Sequence, residues 1–148
     1  DVYKRQIKDA VDELREETDL KIGVVGVKCF RPFPVEVMGE ALEGAKTVVV
    51  LERTLAVGSG GVLSRDIMVS IKDPSVTRYT VIAGLGGRAI TKASLKKMLK
   101  EAAAHQLETL TFMDLNKELV ERQLERERKT RKSGPVPEAL IRDAAMHQ

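Results

Sequence analysis

The chain of 148 residues has one cysteine, Cys29, and no tryptophan. A single thiol excludes an internal disulfide and any metal cluster built from this chain's own cysteines. Histidine is nearly as scarce. His105 and His147 have no carboxylate or cysteine at useful spacing, so no nucleophile–base pair can be read, and both are expected at the surface. Aromatic residues make up only 3%, so the core must be built from Val, Ile, Leu, Ala and Met. No apolar run approaches the length of a membrane span. A net charge of +3, from 25 basic and 22 acidic residues, leaves no surplus for a polyanion-binding surface. Membrane and nucleic acid are thereby set aside as partners. A soluble, cytoplasmic α/β domain is expected, with no catalytic and no metal-ligating residue to name.

Three strand–helix units are present. Leu20–Phe30 (LKIGVVGVKCF), Lys46–Arg53 (KTVVVLER) and Thr77–Leu85 (TRYTVIAGL) read as strands. The first carries valines on both faces, as a buried strand requires. Cys29, inside it, is expected to be a small buried apolar residue. Helical patterns cover Ile7–Glu17, Pro34–Leu42, about Gly60 or Gly61 to Ile71, and Lys92–Ala104 with Thr91 as N-cap. Strands alternating with helices predict an open, mainly parallel sheet with helices on both faces, a three-layer α/β fold. After His105 the composition changes. LTFMDL offers a short edge strand, Asn116–Thr130 a charged helix with a narrow stripe at Leu119, Val120 and Leu124, and a last helix starts near Glu138. The glutamates interleaved through that helix favour a solvated or subunit-facing helix over a polyanion-binding one. The implied division is 7–106 for the α/β core and 107–148 for a helical extension.

Three loops carry polar and glycine signals. In FRPFP, Arg31 is held between stiff residues at a strand's carboxyl end, suited to a carboxylate or phosphate. VVVLERTLAVGSGG resembles the first turn of a nucleotide-binding unit, with Gly58-Ser59-Gly60 as G-x-G. Leu63 stands where the third glycine belongs, so a dinucleotide fingerprint is weak. A structural loop needing positive φ is the better reading of Gly58, Ser59, Gly60 and Gly61, with an anion at the helix amino terminus as the alternative. GLGGRAIT repeats the arrangement with Gly86, Gly87 and Arg88. Arg31, Arg53 and Arg88 would then share the rim at the carboxyl ends of the strands, which is where ligands or partner chains sit.

The opening DVYKRQ is an unusual start. Val2 and Tyr3 are strand formers ahead of an amphipathic helix, and the six residues are what GATGTGTATAAGAGACAG encodes. That string resembles the mosaic end of a transposon adapter. Residues 1–6 are therefore read as non-native, with native sequence from Ile7 and an amino-terminal part missing.

The ordered set Arg31-Pro32-Phe33-Pro34, Glu52-Arg53, Gly58–Gly61 and Gly84–Arg88, with the ending LVERQLERERKTRKSGP, is similar to core domain II of the 2-oxoacid:ferredoxin oxidoreductases. The resemblance is to the carboxyl-terminal part of the alpha subunit of the pyruvate enzymes, from Leu20 onward. Ala89 departs from the pattern, which places an acidic residue after GLGGR. The resemblance implies a transketolase carboxyl-terminal-like fold and a place in an enzyme that oxidatively decarboxylates pyruvate to acetyl-CoA and reduces ferredoxin. It also implies thiamine diphosphate, Mg, iron–sulfur clusters and CoA for the holoenzyme, bound by its other domains and its beta, gamma and delta subunits. This fragment would bind none of them and be inactive alone, serving as scaffold and interface. The candidates for interface or anion contact are Arg31, Arg53, Gly58, Ser59, Gly60, Gly61, Gly86, Gly87 and Arg88. The alternative is a stand-alone anion- or nucleotide-binding module using Gly58–Gly61.

Overall fold

In the computed structural model, residues 2–130 are described; the helix expected near Glu138 and His147 lie outside them. The compact unit runs through Asp114. The fold follows the sequence's alternation of β-branched runs and amphipathic stretches: α1 (Val2–Glu17), α2 (Val35–Ala41), β1 (Thr47–Glu52), a hairpin of β2 (Leu55–Ala56) and β3 (Gly60–Gly61), α3 (Val62–Ser70), β4 (Thr77–Ile82), a 3-10 turn at Leu85–Gly87, α4 (Lys92–Ala103) and β5 (Leu110–Phe112). The sheet order is β1-β4-β5, all parallel, with Glu52 opposite Ile82 and Ile82 opposite Phe112. Leu110–Phe112 is thus the edge strand that LTFMDL suggested. It lies between the change of composition after His105 and the end of the compact unit at Asp114.

Alternation along β1 divides the core into two. Val48 and Val50 face Met38 of α2 and Ile67 of α3, with Phe33 packed alongside. Val49 and Leu51 face the other layer, where Val81 and Ala83 meet Ala10 of α1 and Leu95 and Met98 of α4. Helices therefore cover both faces, the arrangement a parallel sheet requires. Helix α2 comes close enough to α3 that a Cβ on Gly39 would stand 2.9 Å from the Ser70 carbonyl oxygen. Thr91 caps α4 as expected, its Oγ1 accepting from Ser94 N at 3.1 Å.

One expected strand is not formed. Leu20–Phe30 has no strand assignment and pairs with nothing in the sheet. Local propensity cannot supply a ladder partner, and Gly23 and Gly26 weaken the run as a strand. Arg15 moreover holds the Ile22 carbonyl from α1, with Nε donating at 2.7 Å. Cys29 is consequently exposed instead of buried, its Sγ 3.2 Å from the Pro32 oxygen.

Helix α1 docks on α4 through Ala10, which shares a cluster with Leu95 and Met98 and has Ile7 packed alongside; Val11 and Leu14 of the same helix are also almost fully buried. Glu13 bonds Lys92 (2.6 Å) and Lys96 (3.2 Å), and Lys96 also reaches Glu17. The hydrogen bond from Lys92, then that from Lys96, holds the Glu13 carboxyl below its ordinary value of 4.5. Lys92 and Lys96 are in turn raised above 10.5, chiefly by their bonds to Glu13 and Glu17 respectively. A depressed carboxyl contributes above its unfolded value and loses that contribution as pH falls through the folded one; the raised lysines behave oppositely at high pH. Wild type should therefore melt above Glu13→Gln at pH 7, and the gap should close below about pH 4.5. Paired melting curves over pH 3–7 check this. The pair is exposed, so the gap should be small and salt-sensitive.

Within the separate unit after Asp114, α5 (Lys117–Thr130) starts with Asn116 Oδ1 accepting from Leu119 N at 2.9 Å. Its Leu119, Val120 and Leu124 are exposed.

Candidate interface at the carboxyl rim of the sheet

The register places the ends of β1, β4 and β5 side by side. The loops that leave them therefore share a rim, as the sequence positions of Arg53 and Arg88 imply. Arg53 follows β1 directly and is exposed; a Cβ on Gly84 would come within 3.4 Å of its Nε. Gly84, Gly86 and Gly87 all have positive φ (71, 65 and 76°), so the loop after β4 takes a path that other residues rarely adopt. Arg88 does not point to an empty anion seat. Its Nη1 donates to the Asp114 carbonyl at 2.7 Å, and Ser94 Oγ donates to Asp114 Oδ1 at 2.9 Å. Together these bonds tie the glycine loop, the start of α4 and the chain after β5.

Arg31 is also engaged within the chain. Its Nη1 donates to Asp66 Oδ2 on α3 and to the Phe30 carbonyl, each at 2.7 Å, and its guanidinium lies 4.1 Å from the centre of the Phe30 ring. The carboxylate partner that a rigidly held arginine calls for is thus Asp66.

The glycine hairpin holds the main surprise. Gly58 and Gly60 have φ of 77 and 81°, as a tight hairpin demands. Gly61 does not: at φ −74° and ψ 144° any residue would fit the backbone. A glycine is needed there because a Cβ would lie 1.9 Å from Glu52 Oε1 and 2.7 Å from Ser64 Oγ. The carboxylate of Glu52, buried at 8% exposure, comes from the end of β1 into the first turn of α3. Its Oε2 accepts from Leu63 N at 2.9 Å, its Oε1 from Ser64 N at 3.0 Å, and Ser64 Oγ donates to Oε1 as well. Two of the unpaired N–H groups of a helix start are thus satisfied by an internal anion on the favourable end of the helix dipole. Phosphate would compete for the same donors. Sequence reading marked Glu52 as part of a family motif and missed its role, because the partners stand 11 and 12 residues away. A strand ending in Glu, then a glycine hairpin, then Ser in the next helix's first turn is the available signal. Ser59 faces outward, its Oγ accepting from Arg65 Nη1.

These residues can be set against the cofactors of the resembling enzymes. An iron–sulfur cluster takes about four thiolates, and Cys29 is the one thiol of the chain. A magnesium-bound diphosphate needs clustered oxygen ligands, and no group of three His, Cys, Asp or Glu among the described residues could hold a metal. One thiol cannot furnish a cluster's ligands, and the described residues offer no such oxygen cluster. What the rim does present is apolar and cationic relief. Val57 at the hairpin tip is 97% exposed and Leu85 42%, between Arg53 and Arg88. No described helix is long and apolar enough to cross a membrane.

Comparison with known proteins agrees with this geometry. Residues 2–95 match the family described as pyruvate:ferredoxin oxidoreductase core domain II. The pyruvate synthase subunit PorA of Methanothermobacter thermautotrophicus is 31% identical over 112 residues, which is 76% of this chain and 28% of that protein. The Methanosarcina barkeri PorA is 36% identical over 122 residues, covering 77% and 30%. The ketoisovalerate oxidoreductase subunit VorA of Pyrococcus furiosus is 38% identical over 94 residues, covering 61% and 23%. The chain thus spans less than a third of the length of the relatives it matches. With residues 2–95 matched and the α/β sheet in place, the chain belongs to the pyruvate:ferredoxin oxidoreductase core domain II family.

Proposed function

We propose that this chain is the scaffold and interface domain of an alpha subunit of a 2-oxoacid:ferredoxin oxidoreductase, of the pyruvate type, working in the cytoplasm and inactive in isolation. The observation that carries the reading is Glu52. The helix start that could have seated a phosphate is filled by the protein's own carboxylate. Arg31 and Arg88 are likewise spent on internal partners. What remains on the rim is a docking surface: the Val57 hairpin, the Gly84–Arg88 turn and Leu85. The exposed stripe of α5 suits the same role toward a partner subunit. In this reading thiamine diphosphate, Mg, the iron–sulfur clusters and CoA belong to the rest of the complex, with ferredoxin reached through other subunits.

Two experiments test it. The source DNA upstream of Ile7 should continue in frame into an α/β domain of the thiamine-binding kind; an unrelated upstream frame would sink the proposal. The alternative of a stand-alone nucleotide module predicts thermal stabilisation by ligand. Millimolar CoA or pyrophosphate should instead shift the melting temperature of the 148-residue chain by less than about 1 °C. A larger shift that charge reversal at Arg53 or Arg88 removes would favour the module.

A further inference from the structure

Among the described residues other than glycine, His105 and Asp114 have positive φ, 55 and 59°. His105 is accounted for by the end of α4. Its N donates to the Ala102 carbonyl at 3.1 Å, and Gln106 N donates to the Glu101 carbonyl at 2.9 Å. That pair of bonds closes a helix on a left-handed residue. Asp114 ends no helix. It follows Met113, whose N makes a sheet bond to the Ile82 carbonyl at 2.9 Å, and it is the last residue of the compact unit. A residue in that region of φ is kept there by its surroundings. At Asp114 they are Ser94 Oγ, donating to its carboxylate at 2.9 Å, and Arg88 Nη1, donating to its carbonyl at 2.7 Å.

Arg88 belongs to a flap on the rim. Leu85–Ala89 are exposed, between the buried anchors Gly84 and Ile90. A Cβ on Gly86 or Gly87 would meet nothing within 4 Å, so no neighbour presses on that side of the flap. The bond from Arg88 to Asp114 therefore restrains the flap and the exit of β5 against each other. Its chemistry also makes it releasable. Arg31 is held by a carboxylate, that of Asp66, whereas Arg88 is held by a neutral carbonyl. A bond in which the acceptor is charged as well is the stronger and shorter kind, so a carboxylate on a protein surface docked at the rim would outcompete that carbonyl. We infer that Arg88 is a latch with two positions. Latched to Asp114, it orders the flap and holds the exit of β5 at positive φ. Turned to a carboxylate of the docked surface, it releases both, so that occupation of the rim is felt where the chain leaves the compact unit. The docked surface is the one that the proposed interface requires, and in that respect the inference rests on that reading; the latch itself is made by this chain alone.

Nitrogen-15 relaxation on the full chain tests the latch without a partner. In the wild type the order parameters of Leu85, Arg88 and Asp114 should match those of β4, about 0.85. Arg88→Ala should lower Asp114 below about 0.6, although the change lies in another loop and leaves Ser94 in place. Asp114→Gly removes the tie to Ser94 and loosens the backbone. Because coupling is reciprocal, it should in turn lower Leu85 and Arg88. Val81 and Ile82 of β4 should keep their order in both variants. Low order at Asp114 in the wild type overturns the inference, as does an Asp114 that stays ordered without Arg88 or a flap that ignores Asp114→Gly. Loss of order at Val81 and Ile82 as well overturns it equally, since Arg88 would then support the sheet as a whole. None of these outcomes bears on the sequence upstream of Ile7, which tests the interface reading separately.

Discussion

Glu52→Ala is expected to be among the most damaging single changes in this domain, costing about 3 kcal/mol. It leaves Leu63 N, Ser64 N and Ser64 Oγ without the acceptor they share. It also removes a carboxylate from the favourable end of the α3 dipole. For a domain of this size that loss lowers the melting temperature by roughly 10 °C. Glu52→Gln keeps one acceptor oxygen but turns an amide N–H₂ toward a donor, so about half the loss should remain. Urea or thermal unfolding of both variants checks the order. If Glu52→Ala unfolds with wild-type stability, the carboxylate is not the cap that the geometry describes.

Gly61→Ala is expected to cost nearly as much, about 2–3 kcal/mol, though alanine suits that backbone conformation. The added methyl takes the place of Glu52 Oε1 and drives the carboxylate off its three donors. The two substitutions should therefore not add. In the Glu52→Ala background Gly61→Ala should cost little, because the atom it displaces is gone. Gly58→Ala is the contrasting control, with positive φ but nothing within 4 Å of its Cβ. It should lose about 1 kcal/mol from backbone strain alone, in either background. Additive losses for Gly61 and Glu52 would separate the hairpin from the cap.

The regular elements were legible because their signals are local. Thr91 before an amphipathic run marked the start of α4, and the valines of β1 and β4 marked buried strands. The shared rim followed from topology: parallel strands bring Arg53 and the Gly84–Arg88 loop to one end of the sheet. What escaped was decided by distant partners. Leu20–Phe30 has a strand's composition, but a ladder needs a neighbour, and only the fold shows that β1 leaves that edge open. Cys29 was misplaced for the same reason. Gly58–Gly61 looked like one glycine loop for one purpose, yet Gly58 and Gly60 serve the turn and Gly61 makes room for a side chain. The resemblance to the oxidoreductase family reached the right family without resolving any of these.

The α1–α4 contact also has a bearing on how the chain is made. Glu13 meets Lys92 and Lys96 across 79 and 83 positions, while β1 pairs with β4 and β4 with β5 only about 30 residues on. During vectorial synthesis α1 waits longer for α4 than β1 waits for β4 or β4 for β5, with Ala10 open to solvent until α4 has left the ribosome. Such long closures slow folding. The interval before α4 arrives is when the apolar face of α1 is most open to a chaperone.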